Sequence, residues 1–260
     1  MNHFSAIGLH TQNQDDLIEF INRCIEQIEQ GRPGCQSSEG QSAGYHVYTD
    51  PSGAQLWIIT DQDGSILTVE PGLAAQSTQT IGIQGSRGHE DGTGDLHVWI
   101  NGNQFDENGA CISGDYPLLF SQPDFQTLPP DFPAQSLPAR LYAIAEEAEC
   151  FESPEAYEAM QESQPEGEIQ YAANSIIPTG LFVSENDPDA GPQPTAFFNG
   201  TVTAAETRTN QLSGQKFYWC RLATYCMEIE AVFPLEMLEH APAAGNLISG
   251  HYWLGGRIEA

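Results

Sequence analysis

The sequence predicts an α+β protein of two domains, and three observations support this prediction. An amphipathic helix near the N-terminus is followed by short strands that are separated by turns. The last 66 residues carry the densest strand pattern, and a proline-rich stretch lies between the two regions. We therefore expect a helix-plus-meander domain at 1–116, a packed connector at 117–138 and a second domain at 139–260.

The first expected element is a helix that begins after Asn13, a residue type that caps helices through its side chain. Apolar side chains recur on one face at helical spacing, at Leu17, Ile21, Cys24, Ile25 and Ile28. Gly31 and Pro33 are typical of a helix end. A loop rich in glycine and serine is expected from 34 to 44.

An antiparallel meander is expected next. Strands at 45–49, 56–60 and 65–70 alternate with turns that end in Gly53 and Gly64. Two further strands are expected at 80–84 and 95–100. The stretch 117–138 contains six prolines, which disfavour regular strands and helices. It also carries large apolar side chains, so we expect it to pack against the domains.

The second domain begins with a segment, 141–151, whose pattern fits either a helix or a strand. We favour a strand, because Ser153 and Pro154 mark the start of a separate helix that runs to about Glu162. A strand at 169–177 and a loop at 186–194 follow. The remaining strands are expected at 195–207, 216–224, 227–233 and 246–258. A hairpin loop is expected at 210–214 and a helical turn at 235–240. The sequence shows no internal repeat.

The C-terminal region resembles an OB-type small barrel. The residues that carry this resemblance are Phe198-Asn199-Gly200-Thr201-Val202, Glu206, Asn210, Gly214, Phe217 and the run from Gly250 to Arg257. The resemblance implies that Gly200 permits the sharp coiling that closes such a sheet. OB barrels commonly bind nucleic acids or oligosaccharides.

The wider chain is similar to a family of bacterial cytosolic proteins to which no activity is assigned. The shared segments are His3-Phe4-Ser5-x-Ile7-Gly8, Tyr116-Pro117, Pro123-Asp124 and Ile177-Pro178-x-Gly180-Leu181-Phe182. These segments are structural, so the similarity implies a fold and transfers no catalytic residue.

The balance of acidic and basic residues indicates which kinds of molecule the chain is poorly suited to bind. The chain has 36 acidic and 8 basic residues, a net charge of −28, and Lys216 is its only lysine. This composition disfavours nucleic-acid binding, which needs many basic side chains, and polybasic membrane binding. The acidity is uneven, because residues 195–260 hold 6 acids and 4 bases, whereas 139–194 hold 12 acids and 1 base.

The densest acidic segment is a candidate binding surface for a basic protein. Its glutamates are Glu146, Glu147, Glu149, Glu152, Glu155, Glu158 and Glu162, and the first six form our predicted partner-binding set. One interpretation is a solvated face that keeps the protein soluble. The other is a docking surface on which complementary charge speeds association. The aromatic residues of the last strands are open to the same two interpretations, packing or binding.

A histidine and carboxylate cluster is the weak candidate for a metal site. Its members are His89, Asp91, Asp95 and His97, and the flanking glycines make it a poorly preorganised loop. A polar surface loop is the alternative interpretation. The aspartate-rich turns at 61–64 and 186–189 lack the glutamate of a calcium loop. We find no phosphate-binding loop, nucleophile elbow or C-x-x-C motif, so we predict no cofactor.

The resulting functional hypothesis is a non-enzymatic acidic binding protein. Its most concrete form is a bacterial immunity protein or inhibitor that occludes a basic toxin or nuclease. The alternative is a small-molecule- or metal-binding protein, or a hydrolase, that uses a cleft between the domains. The absence of a signal-like opening and the low cysteine density favour reduced thiols over three disulfides and predict a cytoplasmic location.

Overall fold

The computed structural model describes residues 2–11, 13–39, 43–165, 167, 169–181 and 191–259. This part of the chain is rich in β-structure and has two helices, α1 (Gln14–Glu29) and α2 (Pro154–Glu162), so its coarse content agrees with the α+β prediction. The strands are β1 (Cys35–Glu39), β2 (Gly44–Thr49), β3 (Ala54–Thr60), β4 (Ile66–Leu73), β5 (Thr78–Gly88), β6 (Gly94–Ile100), β7 (Gln104–Phe105), β8 (Cys111–Ser113), β9 (Tyr116–Gln122), β10 (Leu137–Phe151), β11 (Ile176–Ile177), β12 (Thr195–Thr209), β13 (Lys216–Thr224), β14 (Met227–Pro234) and β15 (Leu247–Ile258).

Both predicted helices are confirmed, because their start signals are local. The Asn13 side chain accepts the Asp16 N–H at 3.1 Å at the start of α1, and Ile21 and Cys24 are buried on its apolar face. The Ser153 hydroxyl accepts the Ala156 N–H at 3.2 Å at the start of α2. Capping of this kind satisfies backbone donors that the first helical turn leaves free.

A four-stranded antiparallel sheet follows α1, in the order β1–β2–β3–β4. The meander of β2, β3 and β4 is confirmed. The loop expected at 34–44 is wrong in part, because Cys35–Glu39 pairs with β2 as an edge strand. This edge strand is polar and lacks the alternation of a half-buried strand, so its sequence carries no pattern that distinguishes it from a loop.

A nine-stranded sheet forms the larger part of the molecule, in the order β11–β12–β13–β14–β10–β15–β9–β6–β5. It draws strands from all three expected regions, including β9 from the expected proline-rich connector. The expectation that this connector excludes strands is wrong at residues 117–122, which lie in β9, and at Leu137 and Pro138, which begin β10. The ladder from β9 to β15 involves only Ser121, so Pro117 lies outside it.

The strand pairings of this sheet close into two circuits. One circuit runs β12–β13–β14–β10–β15 and returns to β12, and the other runs β5–β6–β9–β15–β10 and returns to β5. Each circuit has one parallel pair, β14–β10 in the first and β9–β15 in the second. The central strands β10 and β15 belong to both circuits and pair along most of their length.

The two circuits repeat one topology. In each, three antiparallel strands lead to a short 3₁₀ turn, Phe125–Thr127 or Leu235–Met237, and then to a central strand. The parallel contact between Ile144 and Val232 corresponds to the contact between Gly255 and Ser121. The distance along the sequence from Ser121 to Val232 equals that from Ile144 to Gly255.

The β-bulges match as well, because the register shift after Ile83 in β5 corresponds to the shift after Val202 in β12. The topology therefore repeats although the sequence shows no internal repeat. The repeat is hidden in the sequence because corresponding core positions hold different side chains, such as Phe120 and Ala231.

Two hydrophobic cores hold these elements together. The first fills the interior of the circuits and includes Phe120, Phe198 and Leu254. The second lies between the outer face of the nine-stranded sheet and the N-terminal elements, where Trp219 packs with Leu56 and Ile7. This burial is the main favourable term in folding.

Other predictions in the second half have mixed outcomes. The strand chosen for 141–151 is confirmed within β10, and the strands expected from 195 onward are confirmed as β12 to β15. The strand expected at 169–177 is wrong except at Ile176–Ile177. Most of the loop expected at 186–194 lies outside the described residues.

In the described part of the chain, neither helix has the length and apolar character needed to cross a bilayer.

Candidate functional site

The predicted acidic segment forms the second half of β10, the turn after it and α2. Glu147 and Glu149 are exposed and two residues apart, so they lie on one face of the strand. Glu152, Glu155 and Glu158 continue the exposed series into the helix. The structure thus places five of the six predicted partner-binding glutamates on solvent-facing positions of one continuous stretch of chain.

The opposite face of α2 fixes the helix to the sheet. Tyr157 is buried, and its ring meets that of Phe151 edge to face at 5.0 Å. The Tyr157 hydroxyl accepts a hydrogen bond from the Asn199 amide at 2.9 Å. Asn199 itself is fully buried. The acidic residues of α2 are therefore held on a rigid element.

Glu146 differs from the other five glutamates. It is half-buried at the bulge of β10, and its carboxylate contacts His3 Nε2 at 3.0 Å. This hydrogen bond lowers the pKa of Glu146, although partial burial opposes the effect. Glu146 therefore joins the N-terminal turn to the central strand, and its carboxylate is already engaged within the chain.

The exposed glutamates have no cationic partner among the described residues. The arginines in ion pairs contact other carboxylates, namely those of Asp95, Asp124, Glu206, Glu228 and Glu259. Hydrogen bonding by Ser153 lowers the pKa of Glu155, so this side chain stays ionised. The surface of Glu147, Glu149, Glu152, Glu155 and Glu158, hereafter the acidic surface, carries unneutralised charge.

The candidate metal ligands do not converge on one point. Asp95 is buried, and its carboxylate is contacted by the Arg87 guanidinium and by His89 Nε2, each at 2.9 Å. Asp91 instead accepts hydrogen bonds from the backbone and hydroxyl of Thr93.

Burial lowers the pKa of His97, whose Nε2 atom has no hydrogen-bond partner. Within the described residues, no group of three or more histidine, cysteine or carboxylate side chains has metal-binding geometry. The arrangement at Asp95 is an ion-paired carboxylate on the outer face of β6.

Glu230 is a buried carboxylate that the sequence did not single out. Its side chain accepts three hydrogen bonds: from the Gln76 N–H at 2.6 Å, the Ser77 N–H at 2.8 Å and Trp219 Nε1 at 2.9 Å. It joins β14 to the segment that links the two sheets. Alternation along β14 places Glu230 on the face opposite Ile229 and Ala231, but the pattern does not show which groups it meets there, so only the tertiary contacts identify its role.

A cleft of about 480 Å³ lies between the four-stranded sheet and the outer face of the central strands. Trp57 and Leu73 line one side, and Arg140, Tyr142 and Arg257 line the other. The aromatic residues of the last strands divide between packing and exposure, since Tyr252 is buried while Tyr225 is exposed. The six cysteines are free thiols, and burial raises the pKa of Cys24 and Cys220 to about 12.

Comparison with protein families, curated proteins and solved structures finds no match for this chain.

Proposed function

We propose that this chain is a non-enzymatic acidic binding protein that captures a basic protein partner through the acidic surface. The observation that carries the proposal is the set of five exposed glutamates, which have no cationic partner among the described residues and extend from a central strand into a capped helix. A surface of one charge raises the rate at which an oppositely charged partner associates.

The most concrete form of this function is a bacterial immunity protein or inhibitor that occludes a basic toxin or nuclease. The chain offers negative charge on a rigid support, and its net charge of −28 repels nucleic acid. An inhibitor that covers a nucleic-acid-binding surface needs both properties. Affinity would also require apolar contacts, because exposed ion pairs alone contribute little.

We further propose that the two strand circuits are OB-like barrels that share β10 and β15. Support comes from the five strands of each circuit and from the single parallel pair in each. It also comes from Gly200, where β12 and β13 approach each other closely. A Cβ atom at Gly200 would lie 2.9 Å from Leu222 Cβ, so glycine permits the tight crossing of β12 over β13. The commonly nucleic-acid-binding function of OB barrels does not suit the charge of this chain.

The test is capture of partners from native cells by the tagged chain, with a matched pair of charge-reversal variants. The first variant carries Glu147→Lys, Glu149→Lys and Glu155→Lys on the acidic surface. The second carries Glu19→Lys, Glu26→Lys and Glu29→Lys on α1, where these glutamates are also exposed. Both variants change the net charge equally, so only location differs.

We expect the wild type and the α1 variant to capture the same basic protein at low salt and to release it at high salt. We expect the acidic-surface variant to lose at least about tenfold in affinity, as several charge-assisted contacts are reversed. Inhibition of the captured protein's activity would establish the inhibitor form. Equal capture by both variants would refute the proposed surface.

A further inference from the structure

The cleft between the two sheets has features that the acidic surface does not use. Its volume, about 480 Å³, lies in the range of small-molecule sites. Its floor is the outer face of the central strands, where Arg140, Tyr142 and Arg257 project. Its roof is the four-stranded sheet, which contributes Trp57 and Leu73.

Two arginines face each other across this floor. Arg140 and Arg257 are direct partners in the antiparallel pairing of β10 and β15, and like charges in that position are destabilising. They are two of only eight basic residues in the chain. Arginine is over-represented where a planar carboxylate or a phosphate is recognised, and this pair opens into a cleft that Glu259 also lines.

Neither arginine uses all of its N–H donors in the contact with its carboxylate partner. Arg140 reaches Glu259 through Nε at 2.6 Å, and Arg257 reaches Asp124 through Nη2. A guanidinium group carries five N–H donors, so several remain. The Arg257 Nε atom is buried and has no hydrogen-bond partner among the described residues. The remaining N–H groups can donate hydrogen bonds to a planar carboxylate or to a phosphate.

Tyr142 supplies an unpartnered hydroxyl at the same place. The residue is 3% exposed, it lines the cleft, and its hydroxyl is buried without a hydrogen bond. A buried hydroxyl without a partner costs free energy, so such groups call for an explanation. A Cβ at Gly255 would lie 2.4 Å from Tyr142 Cζ, so glycine at this position gives the ring its room.

The cross-strand arginine pair is not repeated in the other circuit. By the offset that relates the two circuits, Arg140 corresponds to His251 and Arg257 to Glu146. In the ladder His251 is partnered by Glu147, and Glu146 lies at the bulge.

From these observations we infer that the cleft binds a small molecule through its oxyanion group, a carboxylate or a phosphate. Arg140 and Arg257 hold the oxyanion, and the Tyr142 hydroxyl donates to it. Trp57 and Leu73 contact the remainder of the molecule. This site is separate from the acidic surface, and the inference does not depend on the proposed partner-binding function.

The test is isothermal titration calorimetry of the full chain with phenyl phosphate, inorganic phosphate and benzoate at low ionic strength. We expect at least one probe to bind with a stoichiometry of one. We expect Arg140→Gln and Tyr142→Phe each to weaken this binding by about tenfold, the loss of one strong hydrogen bond. Preference for the phosphates or for benzoate identifies which oxyanion the site takes.

Tyr252→Phe is the matched control. Its hydroxyl is also buried without a partner, but it lies in the core of the circuits, where its ring stacks on Phe198 at 3.9 Å. We expect this variant to bind the probe like the wild type. The inference is overturned if no probe binds the wild type, or if Arg140→Gln and Tyr142→Phe bind it as tightly as the wild type does.

Discussion

Glu230 is a buried carboxylate and Glu70 a partly buried one, and their hydrogen-bond environments are opposite. Glu230 accepts three N–H groups. The Oε2 atom of Glu70 is buried and has no partner, and burial together with the nearby Asp91 and Asp95 raises the pKa of Glu70 to about 7. The same residue type therefore serves as a structural acceptor at one position and is held partly protonated at the other.

Glu70→Gln should stabilise the protein in a pH-dependent way. The ordinary pKa of about 4.5 applies in the unfolded state, so both states are protonated at lower pH and the variant gains little. As pH rises from about 4.5 to 7, the unfolded state releases its proton first and the wild type loses stability relative to the variant. Above about pH 8 the gain is constant, on the order of 3 kcal/mol for the shift given.

Urea unfolding at about pH 4.5, 6 and 8 measures this difference. Glu19→Gln, at an exposed position on α1, is the control and should show no such trend. A stability difference for Glu70→Gln that does not change with pH would contradict the buried, protonated carboxyl.

Elements defined by local signals could be predicted from the sequence, and elements defined by distant pairing could not. The caps at Asn13 and Ser153 set both helix starts, and turn glycines such as Gly53 set the meander. The edge strand β1 and the proline-containing β9 exist because of their partners in the sheets. The closure of the circuits and the cleft depend on contacts between residues more than 100 positions apart, such as Arg140 and Arg257.

The candidate acidic surface was predictable because charge density is visible in sequence. The separate role of Glu146, which joins the N-terminal turn to β10, was not predictable, because it depends on a contact with His3, far away in the sequence. The same holds for the unpartnered Tyr142 hydroxyl, because alternation along β10 gives its parity but not its surroundings.

The anchoring of β14 to the segment between the two sheets can be tested at Glu230. Glu230→Gln keeps the shape but replaces one acceptor atom with a donor, which then faces an N–H group. We expect a loss of about 2 kcal/mol in the free energy of unfolding, the magnitude for a buried charge-assisted hydrogen bond.

Glu228→Gln is the matched control on the same strand. Glu228 is 44% exposed and pairs with Arg221 at 3.4 Å, so its loss should cost less than about 1 kcal/mol. Urea unfolding at neutral pH compares the two variants. Equal losses would show that Glu230 does not join β14 to the segment between the sheets.

At the scale of the whole molecule, the central strands join all the parts of the fold, and the acidic surface carries unpaired negative charge. The shared strands β10 and β15 unite both circuits, and the N-terminal sheet packs against their outer face. Five arginines pair with carboxylates outside the acidic surface, whereas the acidic surface has no cationic partner among the described residues. We propose that this unpaired negative charge is where a basic protein attaches, because a surface of one charge attracts an oppositely charged partner.

Carbodiimide cross-linking of the chain in its native lysate, read by mass spectrometry, tests this account most directly. The reagent joins a carboxylate to a contacting lysine amine, and the chain contains only Lys216, so cross-links to other lysines report a partner. We predict that cross-links to one basic protein concentrate at Glu147, Glu149, Glu152, Glu155 and Glu158. Cross-links spread evenly over the exposed carboxylates, or concentrated on α1, would contradict the account.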